Sequence, residues 1–382
     1  MTTRAPSPAL LDVFKKVAFE PVSGEGMWLT GTDGKRYLDF YGGHAVALLG
    51  NAHPRLVDTL VRQAKTLFFQ SNLVELEVRD RAAEKLVAFG PRELTRVFFV
   101  NSGAEANENA LRIAFLVTKR PRVVCVAGSF HGRTAAAAAI TSGSQKWYAF
   151  PQVPFPVTQI PFDDAKALER EVGPDVAAVI FEPVQGVAGA RPFSPGFVRA
   201  AREVTRRAGA LLILDEVQCG MGRSGEPFAA QAFGVAPDIL TTAKGIAGGF
   251  PAGAVLVTEA LAQAIKKGDL GTTFGGGPLA CALIEAVIDA IRELDLLPRV
   301  RRLSERLKAE CRVGPVTAVQ GMGFLLGLRT TRPASAVLAD LRARQILAGE
   351  SSDPNIVRLL PPLILEDAHV DQLVATLKEI PA

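Results

Sequence analysis

Runs of apolar residues recur through the first two thirds of the chain, and stretches with helical periodicity separate most of them. The runs are RVFFV at 96–100, VVCVAGS at 123–129, VTQIPF at 157–162, VAAVIFEPV at 176–184, ALLILDEV at 210–217, DILTTAK at 238–244 and GAVLVT at 253–258. Several are apolar at consecutive positions rather than alternating, as expected of strands that helices cover on both faces. The series of strands and helices predicts a mainly parallel open sheet.

The two ends of the chain have a different pattern. GMWLTGTDGKRYLDF at 26–40 predicts two short strands around an Asp-Gly turn. From about residue 279 the pattern becomes helical, with short strands near GFLLGLRT and IVRLLPPL. We therefore expect an α/β protein with a large domain at 46–280 and a smaller α+β domain at 281–382, against which the N-terminal segment 1–45 packs.

Composition and charge exclude several classes of function. The net charge is +4 over 382 residues and no basic run is interleaved with aromatics, so nucleic acid is not an expected partner. The start of the sequence lacks the apolar core of a signal peptide and no stretch is long enough to span a membrane, so we expect a soluble, cytoplasmic protein without a membrane partner. The spacing of the four cysteines and four histidines favours neither disulfides nor a metal site.

Polar and ionisable residues follow the ends of the predicted strands. In open α/β sheets, ligands bind beyond the carboxyl ends of the strands. The segments found there are Asn101–Glu105, Ser129–Thr134, Glu182–Gly186, Asp215–Gln218 and Lys244–Gly249. A sheet with a purely structural role does not require this concentration, so we expect the functional site at this edge.

The first of these segments has two compatible interpretations. Ser102 and Glu105 have the Ser-x-x-Glu spacing of a capping box, which satisfies free amides at the start of a helix and accounts for the pair by itself. Gly103 and Ala104 lack bulk, so a phosphate could also approach the amides and the positive end of the helix.

Two ionisable residues follow nearly wholly apolar strands. A carboxylate at Asp215 is costly to bury unless it meets a cation, and a protonated heterocyclic nitrogen would suit it; the alternative is a helix N-cap. Lys244 precedes glycines, and an amine in a partly desolvated pocket can attack a carbonyl to form a Schiff base, although most lysines are solvated surface residues. Phe130 could cover a flat ligand ring or pack onto the core.

The combination is more specific than any member. A phosphate cradle, an aromatic cover, a buried acid for a ring nitrogen and an amine for a Schiff base are together what pyridoxal 5'-phosphate requires.

The sequence also resembles the class III pyridoxal-phosphate aminotransferases of the ornithine and acetylornithine type, which have PLP-dependent transferase fold type I. The matching motifs run from about residue 26 to the end and are NSGAEANENALRIA, SFHGRT, FEPVQG, LILDEVQCGMGRSG, PDILTTAKGIAGGFP, GTTFGGGPLACA and VRLLPPL.

The resemblance implies roles around the cofactor ring. Lys244 corresponds to the lysine that forms the Schiff base with the cofactor and shuttles a proton. Asp215 corresponds to the acid that keeps the pyridine nitrogen protonated. Gln218 would face the phenolic oxygen, and Phe130 would stack on the ring.

It also implies a homodimer with shared active sites. Ser102 and the amides of Gly103 and Ala104 would bind the phosphate from one subunit, and Thr273 in GTTFGG would bind it from the other. From the residues alone, a capping or turn hydroxyl is the favoured interpretation of Thr273.

On the substrate side, Arg133 resembles the arginine that binds a substrate carboxylate, for which its planar fork is suited. Glu182 resembles a glutamate near the cofactor edge, and Arg358 the second arginine that binds carboxylates. A surface salt bridge for Arg133 and structural ion pairs for Glu182 and Arg358 are the alternatives. His44 falls where relatives place a substrate-facing side chain; it would tune specificity or fill the entrance.

Two positions depart from the family pattern. Many relatives have a glutamate where this chain has Val187, and that glutamate can pair with the arginine at the position of Arg358. The sequence therefore leaves Arg358 without an evident partner. Gly277 replaces a more usual asparagine near the expected subunit interface.

The resemblance implies transfer of the ω-amino group of N2-acetylornithine, or a similar N-acylated diamino acid, to 2-oxoglutarate, giving a semialdehyde and glutamate. Three alternatives stay open at this point. One is another ω-aminotransferase, acting on ornithine, 4-aminobutyrate or a carrier-linked lysine precursor. The second is an aminomutase of the glutamate-1-semialdehyde type, and the third is a dimer that keeps the scaffold without the activity.

Overall fold

The computed structural model describes residue 7 and residues 9–382. Residues 1–6 and residue 8 of the expected N-terminal segment lie outside the description. The strands are β1 Pro21–Glu25, β2 Trp28–Gly31, β3 Arg36–Asp39, β4 Leu94–Val100, β5 Arg122–Val126, β6 Val157–Ile160, β7 Val176–Phe181, β8 Val184–Gln185, β9 Arg191–Pro192, β10 Leu211–Asp215, β11 Ile239–Thr242, β12 Gly253–Thr258, β13 Val316–Met322, β14 Leu325–Thr330, β15 Ile346–Leu347 and β16 Ile356–Leu359. The helices are α1 Gly42–Ala45, α2 Pro54–Thr66, α3 Glu77–Phe89, α4 Gly103–Thr118, α5 Ala135–Ala139, α6 Ala165–Glu171, α7 Pro195–Ala208, α8 Ala229–Phe233, α9 Glu259–Ala264, α10 Pro278–Glu293, α11 Leu296–Glu310, α12 Ala334–Ala343 and α13 Asp367–Glu379.

A seven-stranded sheet forms the centre of the fold, in the order β4-β12-β11-β10-β7-β5-β6. Each of the seven apolar runs predicted as a strand supplies one of these strands. All neighbours pair in parallel except β12, which is antiparallel to both β11 and β4. The expected mainly parallel sheet is confirmed.

Helices cover both faces of this sheet, which explains why its strands are apolar at consecutive positions. On β10, Ile213 packs with the inner face of α4, whereas Leu212 and Leu214 pack with α7 on the opposite side. Every residue of β7 is buried. The sheet therefore has no solvent-facing side along its central strands.

Sequence signals at the ends of α7 show why the helix begins and ends where it does. The Ser194 hydroxyl accepts a hydrogen bond from the amide of Phe197, and Pro195 occupies the first helical position, where a missing N–H costs nothing. Gly209 ends the helix in a left-handed conformation with φ of 67°.

Two smaller sheets are built from the ends of the chain. β1, β2 and β3 form an antiparallel ribbon around the predicted Asp-Gly turn, and β15 from the C-terminal part adds to it in parallel with β3. β13, β14 and β16 form the other sheet, which is antiparallel. These pairings join the N-terminal segment to the C-terminal third, and the domain limits at 45/46 and 280/281 stay predictions.

No helix in the described part of the chain is long and apolar enough to cross a membrane. The described residues also contain no group of three or more His, Cys, Asp or Glu side chains arranged to hold a metal ion. All four cysteines are buried and unpaired.

Candidate active site

A cavity of about 360 Å³ lies at the carboxyl edge of the central sheet. The strand ends that the sequence singled out meet there, as the topology of a parallel sheet requires. Of the predicted site residues, six line the cavity: Ser102, Gly103, Ala104, Phe130, Asp215 and Lys244. The structure thus brings the predicted phosphate loop, aromatic cover, acid and amine to one place.

The start of α4 forms one wall of this cavity. The expected capping box is present: the Ser102 hydroxyl accepts from the Glu105 amide at 3.1 Å, and the Glu105 carboxylate accepts from the Ser102 amide at 3.1 Å. Within the described chain, the amides of Gly103 and Ala104 have no acceptor. Two donors at the positive end of a helix therefore face the cavity, where an anion can bind.

Asp215 is buried and held by three donors. Its Oδ2 accepts from His131 Nδ1 at 2.6 Å and from Asn107 Nδ2 at 2.8 Å, while its Oδ1 accepts from the Val217 amide at 3.0 Å. The Thr241 hydroxyl donates to Asn107 Oδ1 at 2.8 Å and fixes the orientation of that amide. These donors satisfy the hydrogen-bonding capacity of the buried carboxylate. No helix begins at Asp215, so the N-cap alternative is wrong.

Lys244 follows β11, is half-buried and lines the same cavity. Burial lowers the pKa of its amine, against the charges of Asp215 and Glu182, which favour the protonated form. Its backbone is left-handed, with φ of 49°, a conformation that costs a side-chain-bearing residue about 1 kcal/mol or more. The side chain makes no hydrogen bond to any described residue, so the amine is available to a ligand.

Glu182 lies behind the cavity wall. Its carboxylate accepts from the amides of Phe130 at 2.9 Å and Gly186 at 3.0 Å, and burial, then the charge of Asp215, raises its pKa to about 7. Glu182 forms no ion pair with a described residue, so the alternative interpretation as a structural ion pair finds no partner in this part of the chain. It positions the loop that carries Phe130.

Gln218, Arg358 and His44 form a separate group beside the cavity. Gln218 Nε2 donates to the His44 carbonyl at 3.4 Å, and Arg358 Nη1 donates to Gln218 Oε1 at 3.5 Å. Arg358 also donates to the hydroxyl of Tyr41 at 3.2 Å. The same hydroxyl is hydrogen-bonded to His44 Nδ1 at 2.6 Å. Arg358 likewise has no carboxylate partner among the described residues.

The two remaining predicted residues do not line the cavity of their own chain. Arg133 is exposed, and its guanidinium lies 4.5 Å from the ring centroid of Trp147, so it makes a cation–π contact and not the surface salt bridge that was the alternative to substrate binding. Thr273 is exposed as well. Its neighbour Thr272 supplies the turn hydroxyl, accepting from the Gly275 amide at 3.1 Å.

Sequence reasoning missed the residues that anchor Asp215, and it missed Tyr41. His131 and Asn107 lie 84 and 108 positions from Asp215. Both occur inside motifs that the sequence had singled out, SFHGRT and NSGAEANENALRIA, which is the signal that could have found them. Tyr41 lies 317 positions from Arg358, and no local signal links the two.

The chain is similar to known proteins along nearly its whole length. The family model for class-III aminotransferases matches residues 14–380. An acetylornithine aminotransferase of Streptomyces coelicolor is 44% identical over 94% of this chain and 90% of its own length. One from Mesorhizobium japonicum is 42% identical over 95% and 94% of the two chains.

Solved structures give the same result. The ornithine aminotransferase of Toxoplasma gondii superposes with a TM-score of 0.91 at 28% identity, covering 97% of this chain and 91% of that one. The taurine:2-oxoglutarate aminotransferase of Bifidobacterium kashiwanohense, solved with PLP and glutamate, has a TM-score of 0.90 at 25% identity, covering 97% and 94%. This chain belongs to the class-III aminotransferase family and has its fold.

Proposed function

We propose that this enzyme transfers the ω-amino group of N2-acetylornithine, or of a similar N-acylated diamino acid, to 2-oxoglutarate. The products would be a semialdehyde and glutamate. The relatives named acetylornithine aminotransferase, at 38–44% identity over nearly the full chain, support this donor. The observation that carries the chemistry is the single cavity that holds both Lys244 and Asp215.

The cofactor of this enzyme is pyridoxal 5'-phosphate, and the cavity fits it. The free amides of Gly103 and Ala104 suit a phosphate, and the anchored carboxylate of Asp215 suits a protonated ring nitrogen. Lys244 offers an amine with no other partner, and Phe130 offers an aromatic face. When bound, the cofactor supplies an electron-poor ring that carries the amino group from donor to acceptor.

Lys244 would serve as acid and base of the reaction. In the first half-reaction its Nζ takes the proton from the carbon that bears the ω-amino group of the donor. In the second, it returns a proton to C2 of the 2-oxo acid. Burial lowers the pKa of this amine, which is the direction that a base requires.

Arg133 and Arg358 are the proposed cations for substrate carboxylates. Two carboxylates on 2-oxoglutarate match two guanidinium groups, whereas N2-acetylornithine carries one carboxylate. Gln218 and Glu182 would border the cofactor, and His44 would face the substrate at the entrance. A cytoplasmic location stays a prediction.

We also propose a homodimer in which Thr273 completes the partner's phosphate site. Large apolar side chains are exposed near this residue: Phe68 at 67%, Leu73 at 94% and Phe274 at 65%. Phe274 packs against Phe69 with ring centroids 5.4 Å apart. A cluster of this kind is typical of a surface that a second subunit covers.

A donor panel tests the proposed function. The ratio kcat/KM would be measured with N2-acetylornithine, ornithine, N2-succinylornithine and 4-aminobutyrate, each with 2-oxoglutarate, because this ratio reports differential transition-state binding. We expect N2-acetylornithine to have the highest value. A higher value for ornithine or 4-aminobutyrate would assign another ω-aminotransferase. Turnover of a semialdehyde without any 2-oxo acid would assign an aminomutase.

A further inference from the structure

Arg358 carries a buried positive charge that forms no ion pair with a described carboxylate; the nearest acidic influence is the longer-range charge of Glu182. Its side chain is 5% exposed. Its acceptors are neutral: the Glu350 carbonyl at 2.6 Å, the Gly186 carbonyl at 3.2 Å, the Gln218 amide oxygen at 3.5 Å and the Tyr41 hydroxyl at 3.2 Å. A buried charge without a directly paired counter-charge is costly, so this arrangement favours an anion supplied from outside.

The hydrogen-bond direction through Tyr41 follows from chemistry. A guanidinium has donors and no acceptor, so the Tyr41 oxygen accepts from Arg358 Nη2. The Tyr41 hydroxyl proton then points to His44 Nδ1, 2.6 Å away, which requires a neutral imidazole. Partial burial and the charges of Arg358 and Lys244 lower the pKa of His44, which favours that neutral form. The bonds run from Arg358 to Tyr41 to His44.

The backbone around Tyr41 is shaped to hold this ring. A methyl group at Gly349 would overlap the Tyr41 ring, so this position requires glycine. Gly349 in turn pairs with the backbone of Arg358 through two hydrogen bonds, of 3.0 and 2.8 Å. The Asp39 carboxylate accepts from the Tyr41 amide at 2.8 Å and fixes the backbone of Tyr41 itself.

The turn after Tyr41 is strained. Residues 42–45 all have positive φ, and two of them carry side chains: His44 with 66° and Ala45 with 68°. Side-chain-bearing residues in this region cost about 1 kcal/mol or more each, and such strain clusters at functional sites. Here the turn places His44 against the Tyr41 hydroxyl.

We propose that Tyr41 is a positioning residue that holds Arg358 ready for a substrate carboxylate and, being neutral, leaves the whole charge of Arg358 to that substrate. The inference rests on the proposed function for the identity of the substrate, 2-oxoglutarate. An acidic partner would compete with each incoming carboxylate and would have to release Arg358. A phenol does not compete, so Arg358 keeps one position in both half-reactions.

Position 187 is consistent with this account. Val187 adjoins Gly186, whose carbonyl accepts from Arg358, and the Val187 carbonyl accepts from the Ser352 amide at 2.9 Å. Valine offers no charge at this place. Tyr41 is therefore the side chain on which the orientation of Nη2 depends.

Tyr41→Phe removes the hydroxyl and keeps the ring. Loss of one hydrogen bond to a charged group is expected to raise KM for 2-oxoglutarate about 10-fold. We expect kcat and KM for the amino donor to change less than about twofold. Tyr37→Phe is the matched control. It removes a phenol hydrogen bond of 2.9 Å from Tyr37 on β3 to Asp33 in the turn between β2 and β3, and it should leave all three parameters unchanged.

Glutarate binding to the cofactor-loaded enzyme gives a second readout that does not depend on turnover. Glutarate has both carboxylates of 2-oxoglutarate and no oxo group to react. In calorimetry, Tyr41→Phe should weaken glutarate binding about 10-fold. Val187→Glu should weaken it as well, because a new carboxylate competes for Arg358.

Two results would overturn the proposal. One is a Tyr41→Phe variant with wild-type KM for 2-oxoglutarate and wild-type affinity for glutarate. The other is a wild-type enzyme that does not bind glutarate. If the wild type binds glutarate and does not use 2-oxoglutarate, the proposed function fails instead, and glutarate affinity alone decides the role of Tyr41.

Discussion

The Asp215 side and the Arg358 side of the candidate site are built differently. On the Asp215 side, three donors converge on one buried carboxylate at 2.6 to 3.0 Å. They come from α4, from the loop after β5 and from the amide of Val217. On the Arg358 side, side-chain contacts are longer, at 3.2 and 3.5 Å, and Arg133 lies exposed against Trp147. The proposed chemistry thus depends on one buried carboxylate held by close donors, whereas substrate recognition depends on one buried arginine with neutral acceptors and one exposed arginine.

This difference has a physical cause. A charge that must act on a cofactor in every cycle gains from a rigid, satisfied hydrogen-bond network, because nothing has to reorganise during the reaction. A site that takes two different substrates in turn gains from arginines with neutral partners, because a neutral partner does not compete with a substrate carboxylate. Mutations on the two sides should therefore change different kinetic parameters.

The largest effect is expected at Lys244. Lys244→Ala removes the proposed acid and base and the covalent attachment point, so kcat should fall by about 10⁴-fold or more. Steady-state kinetics with purified, cofactor-saturated protein measures this. Turnover within about tenfold of the wild type would show that another group moves the proton.

Asp215→Asn comes next. It keeps the size of the side chain and removes the charge proposed to hold the ring nitrogen protonated, so kcat should fall about 10² to 10³-fold. KM for both substrates should change little. A fall in kcat/KM that comes from KM alone would place Asp215 in substrate binding, and would remove the contrast between the two sides.

On the recognition side, Trp147→Ala should have a smaller effect. It removes the face on which Arg133 stacks, a contact worth about 0.5–1 kcal/mol at an exposed site, so KM should rise about two- to fivefold with kcat unchanged. Trp147→Phe keeps an aromatic face and serves as the control. A change confined to kcat would contradict the expected division of roles.

The smallest effect concerns pH and stability. Burial raises the pKa of Glu182 to about 7 in the folded state, above its ordinary value, so the folded protein binds more protons than the unfolded chain between those two values. Stability should therefore fall as pH rises through that range. In Glu182→Gln this contribution is absent. Between pH 5 and pH 7, the Tm of the variant should therefore fall by about 2 °C less than the Tm of the wild type. Equal slopes would contradict the raised pKa.

Much of the fold could be predicted from the sequence because its signals are local. Seven apolar runs became the central strands, and Ser194, Pro195 and Gly209 delimit α7 where capping rules place them. The antiparallel direction of β12 was not predicted. Only a short segment with a single 3₁₀ turn, Lys244–Ala247, separates it from β11, and that is too short for a parallel crossover.

The candidate site divides in the same way. Residues at the carboxyl ends of strands were predictable, since the topology of a parallel sheet brings those ends together. The partners that orient them were not, because His131 reaches Asp215, and Tyr41 reaches Arg358, through tertiary packing that no local pattern encodes. Thr273 stays a prediction, because its proposed role requires a second subunit.

The most direct test of the central claim is to find which residue the cofactor binds covalently. The protein would be loaded with pyridoxal 5'-phosphate, reduced with borohydride, digested and analysed by mass spectrometry. The account predicts a single modified residue, Lys244, in the wild type and no modification of that peptide in Lys244→Ala. Stoichiometric modification of a different lysine in the wild type would contradict it.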